Sequence, residues 1–188
     1  HQSRARSSQQ FFQKNAETLK ENQRRIAEWE QYADSVSDVL NNEQIATDAR
    51  VMEVGPGESQ LINLLASSFT TMVAVDNSAE MLARARATLR QSLMPRVRFI
   101  HAEPRALSGR ETFDLIVLNM VLHHMASPAQ MFRDAGRLLD AGGRLLIIEL
   151  RPHDQDWARD ACGDLWLGFA PSDLDDWAAE AGLERGQG

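Results

Sequence analysis

Two glycines and two acids could do chemistry together: Glu53, Gly55 and Gly57 in Arg50-Val51-Met52-Glu53-Val54-Gly55-Pro56-Gly57, and Asp76 closing Val73-Ala74-Val75-Asp76. Glycines let backbone approach a ligand where a Cβ would clash. An acid about 20 residues beyond such a turn can accept hydrogen bonds from both hydroxyls of a ribose, so the set points to an adenosine-containing ligand at the carboxyl edge of a parallel sheet. A dinucleotide fingerprint needs a third glycine, and position 60 is Gln. Glu53 would repel a pyrophosphate and attract an ammonium group. The pattern therefore argues against a nicotinamide dinucleotide and for a ligand that carries an amino group and no phosphate.

The surrounding elements read as alternating strands and helices. Strands are expected at residues 50–54, 71–75, 97–100, 113–118 and 144–150, with a turn at 141–143. Helices are expected at 60–68, 78–93, 128–139 and 172–181. Ser78 caps the second of these helices and Gly182 closes the last. The helix at 60–68 opens near Glu58 or Ser59, whose N–H groups face the glycine turn. Upstream, residues 8–42 read as one helix in which Phe12, Leu19, Ile26, Ala33 and Leu40 recur every heptad, with Trp29 and Val36 between them. That stripe packs on the sheet from Trp29 to Leu40. Its earlier turns are open to a second reading, packing against a partner helix in a homodimer or against an upstream domain. The expected division is a helical arm and cap at 1–45 and a ligand-binding domain at 46–188.

With 188 residues, 43% hydrophobic and 25% charged, the chain can bury one full core. A net charge of −7 lacks the footprint of a nucleic-acid binder, although residues 1–25 form a short basic arm. One cysteine, Cys162, excludes an internal disulfide framework, and no apolar run approaches a membrane span or a secretory leader. A cytoplasmic protein is expected. No Cys-His cluster exists and His101 has no partner at metal-ligand spacing, so no metal site is expected.

The run E-x-G-x-G with Asp76 resembles motif I of class I S-adenosylmethionine-dependent methyltransferases. The resemblance implies a Rossmann-like α/β fold with a doubly wound sheet, and S-adenosylmethionine as methyl donor with S-adenosylhomocysteine as product. It implies that Glu53 faces the methionine end, Asp76 the ribose and Glu103 the adenine edge, with the backbone N–H of Ala102 directed at the ring. Asn119 and Met120 would border the methionine part, and Pro56, Asn77 and Met81 complete the expected cofactor contacts. The stretch Asn119-Met120-Val121-Leu122-His123-His124 looks like the family's strand-four motif. His123 and His124 are expected to point in different directions, so that at most one faces the methyl group. His124 is the first candidate base and His153 the second; each competes with a plain packing role. The acceptor is expected to be a small molecule.

The segment from His153 to Phe169, with Trp157 and Trp166, is expected to overhang the ligand edge or to clamp the last helix on the sheet. It resembles the methyltransferase domain that follows a winged-helix DNA-binding domain in bacterial ArsR-type regulators. That resemblance implies a second role, sensing S-adenosylmethionine or S-adenosylhomocysteine with little turnover. The chain opens on His1 and stops at Gly188, so an upstream winged helix and the family's strands six and seven are expected to be missing.

Overall fold

The structure, a computed structural model, describes residues 29–149, 166 and 168–186. The expected early helical turns with Phe12, Leu19 and Ile26, and the residues His153, Trp157 and Cys162, lie outside the described residues. Strands β1 (Val51–Val54), β2 (Met72–Asp76), β3 (Val97–His101), β4 (Phe113–Asn119) and β5 (Leu139–Ile148) interleave with helices along the chain. The helices are α1 (Trp29–Asn42), α2 (Leu61–Ser68), α3 (Ala79–Thr88), α4 (Pro128–Leu138) and α5 (Pro171–Glu180). All neighbouring strands pair in parallel, in the order β3-β2-β1-β4-β5. This is the expected Rossmann-like α/β fold.

Parallel strands buried on both faces read as near-continuous apolar runs. Val51, Met52, Glu53 and Val54 of β1 are all buried, as are Leu115 to Asn119 of β4. Two apolar layers result. On one face Val36 and Leu40 of α1 join Leu61, Ile62 and Leu65 of α2 over Val51, Ala74 and Val117. On the other, Met131, Phe132 and Leu138 of α4 cover Met52, Val54 and Ile116, with Phe169 beside them. Because side chains alternate along a strand, Glu53 projects to the same face as Val51, towards the α1 and α2 layer. The chain runs outward from β1 to β2 and β3, then returns to β4 on the other flank. The carboxyl ends of β1 and β4 therefore border the crevice where ligands bind in open α/β sheets.

The opposite, amino edge is stapled by charge. The Arg50 backbone N–H donates to Asp114 at 2.9 Å, and its guanidinium reaches Asp140 at 2.9 Å. The Arg50 N–H is the leading cause that holds the Asp114 carboxyl below its usual range. A groove at this edge, lined by Arg50, Thr71, Arg96, Arg98 and Glu111, is far from the glycine turn, and its Arg98 is already paired with Glu111 at 2.7 Å.

Two boundaries differ from expectation. The helix expected to reach residue 93 stops at Thr88 because buried Asn63 on α2 takes over its end, donating to the Thr88 carbonyl at 3.1 Å and accepting the Arg90 N–H at 2.8 Å. A short 3-10 turn, Gln91–Arg96, follows and contains Pro95. The expected turn at 141–143 is absorbed into β5 as a bulge: Phe113 pairs with Leu139 and Leu115 with Arg144, and Gly142 takes φ +76°. Ser78 caps α3 as expected, accepting the Met81 N–H at 3.3 Å, and Gly182 follows α5 at φ +76°.

The contact of α4 with α5 depends on a missing side chain. A Cβ at Gly136 would stand 2.8 Å from the Ala181 carbonyl oxygen. Gly136→Ala is therefore expected to destabilise the fold by about 1–3 kcal/mol through overpacking, despite better helix propensity. Urea unfolding measures it, and an unchanged midpoint would mean that α5 does not dock on α4 in solution.

Candidate functional site

The glycine turn leaves β1 directly above the crevice. Gly55 adopts φ +63° and Gly57 φ +53°, left-handed conformations in which a Cβ is strained. The Gly55 N–H donates to the Val75 carbonyl at 2.8 Å, which ties the turn to the end of β2. Pro56 between the glycines is buried. A Cβ on Gly55 would meet Val121 Cγ1 at 2.7 Å, and one on Gly57 would meet the Met81 methyl at 3.6 Å. Met81 and Val121 thus wall the turn from two sides.

Glu53 lies beneath the turn with 0% exposure. Neither carboxylate oxygen has a hydrogen-bond partner. Its partners in register, Ala74 and Val117, are apolar. Burial alone pushes its pKa up to about 8. Leaving a buried acid without a partner is costly, and a cation delivered from outside would remove that cost. Asn119, at 6% exposure, adds a second buried acceptor: its amide donates to Ser59 Oγ at 3.0 Å while Oδ1 has no partner.

Asp76 ends β2 on the same edge. Its Oδ1 accepts the Ser78 N–H at 2.8 Å, and Oδ2 lies 3.9 Å from the place of a Gly55 Cβ. Burial raises its pKa to about 6, against the lowering effect of the Ser78 N–H. Asn77 donates to Glu103 Oε1 at 2.9 Å, so those two expected contacts are linked on the exposed rim. His101 contacts the Asn77 carbonyl at 3.1 Å. The Ala102 N–H, expected to face an adenine ring, donates to the Asp76 carbonyl at 3.0 Å. That amide continues the β2–β3 ladder, which corrects the expectation for its N–H while leaving the residue on the rim.

At the end of β4, Met120 takes φ +58° and donates its N–H to the Ile148 carbonyl at 2.7 Å. The chain then turns through a 3-10 segment, Leu122–His124, that places Val121 against Gly55. Both histidines are buried, with rings 4.0 Å apart at their centroids. The two rings are in contact with their planes tilted by 51°. His123 Nδ1 meets Glu149, just past β5, a partner the sequence reading did not single out. An acid at the end of the last strand was its only local signal. Trp166 donates its backbone N–H to the His123 carbonyl at 3.1 Å and its indole N–H to the Met125 carbonyl at 2.9 Å. Trp166 and Phe169 also stack towards Trp177 of α5, which favours the clamp reading for this part of the segment.

Among the described residues no group of three or more His, Cys, Asp or Glu side chains is arranged to hold a metal ion, and no helix is long and apolar enough to cross a membrane. What the carboxyl edge offers is a left-handed glycine turn over one buried carboxylate, with a second carboxylate beside it. These features define a Rossmann-like α/β domain with its glycine turn at the carboxyl edge of a parallel sheet.

The chain belongs to the methyltransferase-domain family, whose match covers residues 52–147, from β1 into β5. It is 30% identical over 132 residues to a ubiquinone biosynthesis O-methyltransferase from Parvibaculum lavamentivorans, a match covering 69% of this chain and 52% of that protein. It is 32% identical over 120 residues to a trans-aconitate 2-methyltransferase from Azoarcus sp., covering 63% and 46%. The chain thus spans about half the length of these curated relatives. Among solved structures, magnesium protoporphyrin IX methyltransferase from Synechocystis PCC 6803 with bound S-adenosylhomocysteine superposes with a TM-score of 0.67 at 18% identity, covering 84% of this chain and 74% of that one. The N-methyltransferase NodS from Bradyrhizobium japonicum WM9, also with S-adenosylhomocysteine, gives 0.61 at 20% identity, covering 81% and 74%. Those similarities establish the shared fold.

Proposed function

We propose that this chain binds S-adenosylmethionine at the carboxyl edge of β1 and β2 and transfers its methyl group to a small-molecule acceptor. The observation that carries the reading is Glu53, a fully buried carboxylate with no partner beneath a left-handed glycine turn. S-adenosylmethionine supplies an ammonium group for that carboxylate and an activated methyl group for the acceptor. Glu53 would hold the ammonium, Gly55 and Gly57 give close backbone approach, and Asp76 holds the ribose hydroxyls. Asn77, Met81, Ala102 and Glu103 form the rim on the adenine side, and Pro56, Asn119 and Met120 the methionine side. Methyl transfer from a sulfonium is an in-line displacement, so alignment in a dry pocket is the main task of these groups. Relatives named as a ubiquinone biosynthesis O-methyltransferase and a trans-aconitate 2-methyltransferase support the acceptor class at this coarse level.

The finer reading makes this the methyltransferase domain of an ArsR-type regulator, cytoplasmic and with an upstream winged helix. It rests on the sequence resemblance at Asn119 to His124 and His153 to Phe169. In that case the pocket senses S-adenosylmethionine or S-adenosylhomocysteine, residues 1–45 form an arm and cap joined to the DNA-binding partner, and a homodimer is the expected assembly. His124 and His153 are the residues proposed to serve as base if turnover occurs.

Isothermal titration with S-adenosylmethionine, S-adenosylhomocysteine and NADH tests the pocket. Binding of both adenosyl ligands and not of NADH is expected. In the same titration Asp76→Ala is expected to weaken S-adenosylhomocysteine binding by about 1–3 kcal/mol, the scale of hydrogen bonds to a charged group. Equal affinity in the variant would move the ribose away from Asp76.

A further inference from the structure

Glu53 and Asn119 leave buried acceptors on one face of the sheet, and a side chain outside the expected contacts governs one of them. The partner of Glu53 in register on β4 is Val117. Asn119 lies two residues further along β4, so it projects to the same face, about 8 Å from Glu53 at Cα by strand spacing and rise. Among the described residues, its Oδ1 and both Glu53 oxygens have no hydrogen-bond partner, although Asn119 is 6% exposed and Glu53 0%. Buried acceptors without partners are rare in folded proteins, and three from two neighbouring side chains mark a place for a donor group. An ammonium group carries three N–H donors and no acceptor, which matches that set. Ser59 decides which end of the Asn119 amide is left for a ligand. Its Oγ accepts the Leu61 N–H at 3.2 Å, which fixes the serine at the entry of α2, and accepts Asn119 Nδ2 at 3.0 Å. With Nδ2 taken up there, Oδ1 is the end that remains. Turned over, the amide would bring a donor towards the Glu53 carboxylate and spoil the acceptor set.

We propose that Ser59 is a positioning residue that locks the Asn119 amide with Oδ1 as a third acceptor beside the Glu53 carboxylate, so that the site selects ligands with a free primary ammonium group. The proposal rests on the S-adenosylmethionine reading above. A buried carboxylate alone attracts a cation of any shape. Three acceptors around one point favour a group with three donors, and a ligand without that group leaves all of them unpaired in the complex. Loss of the Ser59 hydroxyl would deprive buried Asn119 Nδ2 of its acceptor, and the amide could then turn that donor to Glu53. The ligand's amino group would meet one acceptor fewer and a carboxylate already hydrogen-bonded.

Isothermal titration of the full chain compares S-adenosylhomocysteine with its deamino analogue, in which hydrogen replaces the amino group, and with 5′-methylthioadenosine, which lacks the amino-acid part. The unmutated chain is expected to prefer S-adenosylhomocysteine to the deamino analogue by about 100-fold, the scale of removing one partner of a buried charge pair. In Ser59→Ala that preference is expected to fall about tenfold, as for one hydrogen bond to a charged group. Affinity for 5′-methylthioadenosine is expected to stay within about threefold, as for an independent site. Asn119→Leu should lower the preference by a similar factor. Adding Ser59→Ala in that background should lower it no further, because the serine acts through the amide. Equal losses for S-adenosylhomocysteine and the deamino analogue in Ser59→Ala would mark a merely structural role and overturn the proposal. A further loss of preference on top of Asn119→Leu, or an unmutated chain that binds both ligands alike, would overturn it as well. Failure of the unmutated chain to bind S-adenosylhomocysteine would instead remove the S-adenosylmethionine reading beneath it.

Discussion

Glu53→Gln is expected to make the ligand-free protein more stable at pH 8.5 while removing most of its affinity for S-adenosylhomocysteine. The buried Glu53 carboxyl has a pKa pushed up to about 8, against 4.5 for the ordinary side chain. Between those values the native state holds a proton that the unfolded state releases. The unfolded state thus binds fewer protons, and stability falls as pH rises through that window. The amide of the variant does not titrate, so its advantage is near zero at pH 4.5 and largest above pH 8. The difference is on the order of a few kcal/mol, and each kcal/mol moves Tm by about 2–4 °C in a chain of this size. Thermal melts at pH 5 and pH 8.5 read the effect directly. Breaking a buried charge pair by removing one partner costs about 3–5 kcal/mol, so ligand affinity in Glu53→Gln should drop by roughly two orders of magnitude or more. With saturating S-adenosylhomocysteine the order of Tm values should reverse. A variant less stable than its parent at pH 8.5 would mean that Glu53 already has a cationic partner.

That opposition between stability and binding explains why the site was so legible in sequence. A carboxylate in the third place of a strand otherwise made of Val51, Met52 and Val54 breaks the local rule for a central strand, and such breaks collect at functional sites. Gly55, Gly57 and Asp76 could be read with it because each acts within a few residues of its own strand end. The features missed depend on chain segments that only the folded sheet brings together. Asn63 ends α3 from 25 residues away, and nothing near Thr88 signals that stop. His123 finds Glu149 across 26 residues, and its N–H and ring are both spent there. The Ala102 amide is taken by the Asp76 carbonyl through strand register, a feature that motif spacing does not encode. The bulge at Gly142 likewise follows from pairing with β4, and a glycine pair alone reads equally well as a turn.

Gly55→Ala tests the same turn without touching a charge. The position has φ +63°, which costs an L-residue roughly 1–2 kcal/mol. Its new methyl group would also stand 2.7 Å from Val121 Cγ1, so either the turn or the β4 corner must yield. Overpacking of that kind costs about 1–3 kcal/mol. If the fold absorbs the clash by lifting the turn, the Gly55 N–H leaves the Val75 carbonyl and the turn moves away from Asp76. Stability and ligand affinity should then fall together, unlike Glu53→Gln, in which they move in opposite directions. Urea unfolding and S-adenosylhomocysteine titration on one preparation separate these cases. Trimming the obstacle should also help: Val121→Ala in the Gly55→Ala background removes Cγ1 and is expected to recover part of both losses. Additive losses in the double variant would place the cost in backbone conformation alone and leave Val121 without a part in shaping the turn.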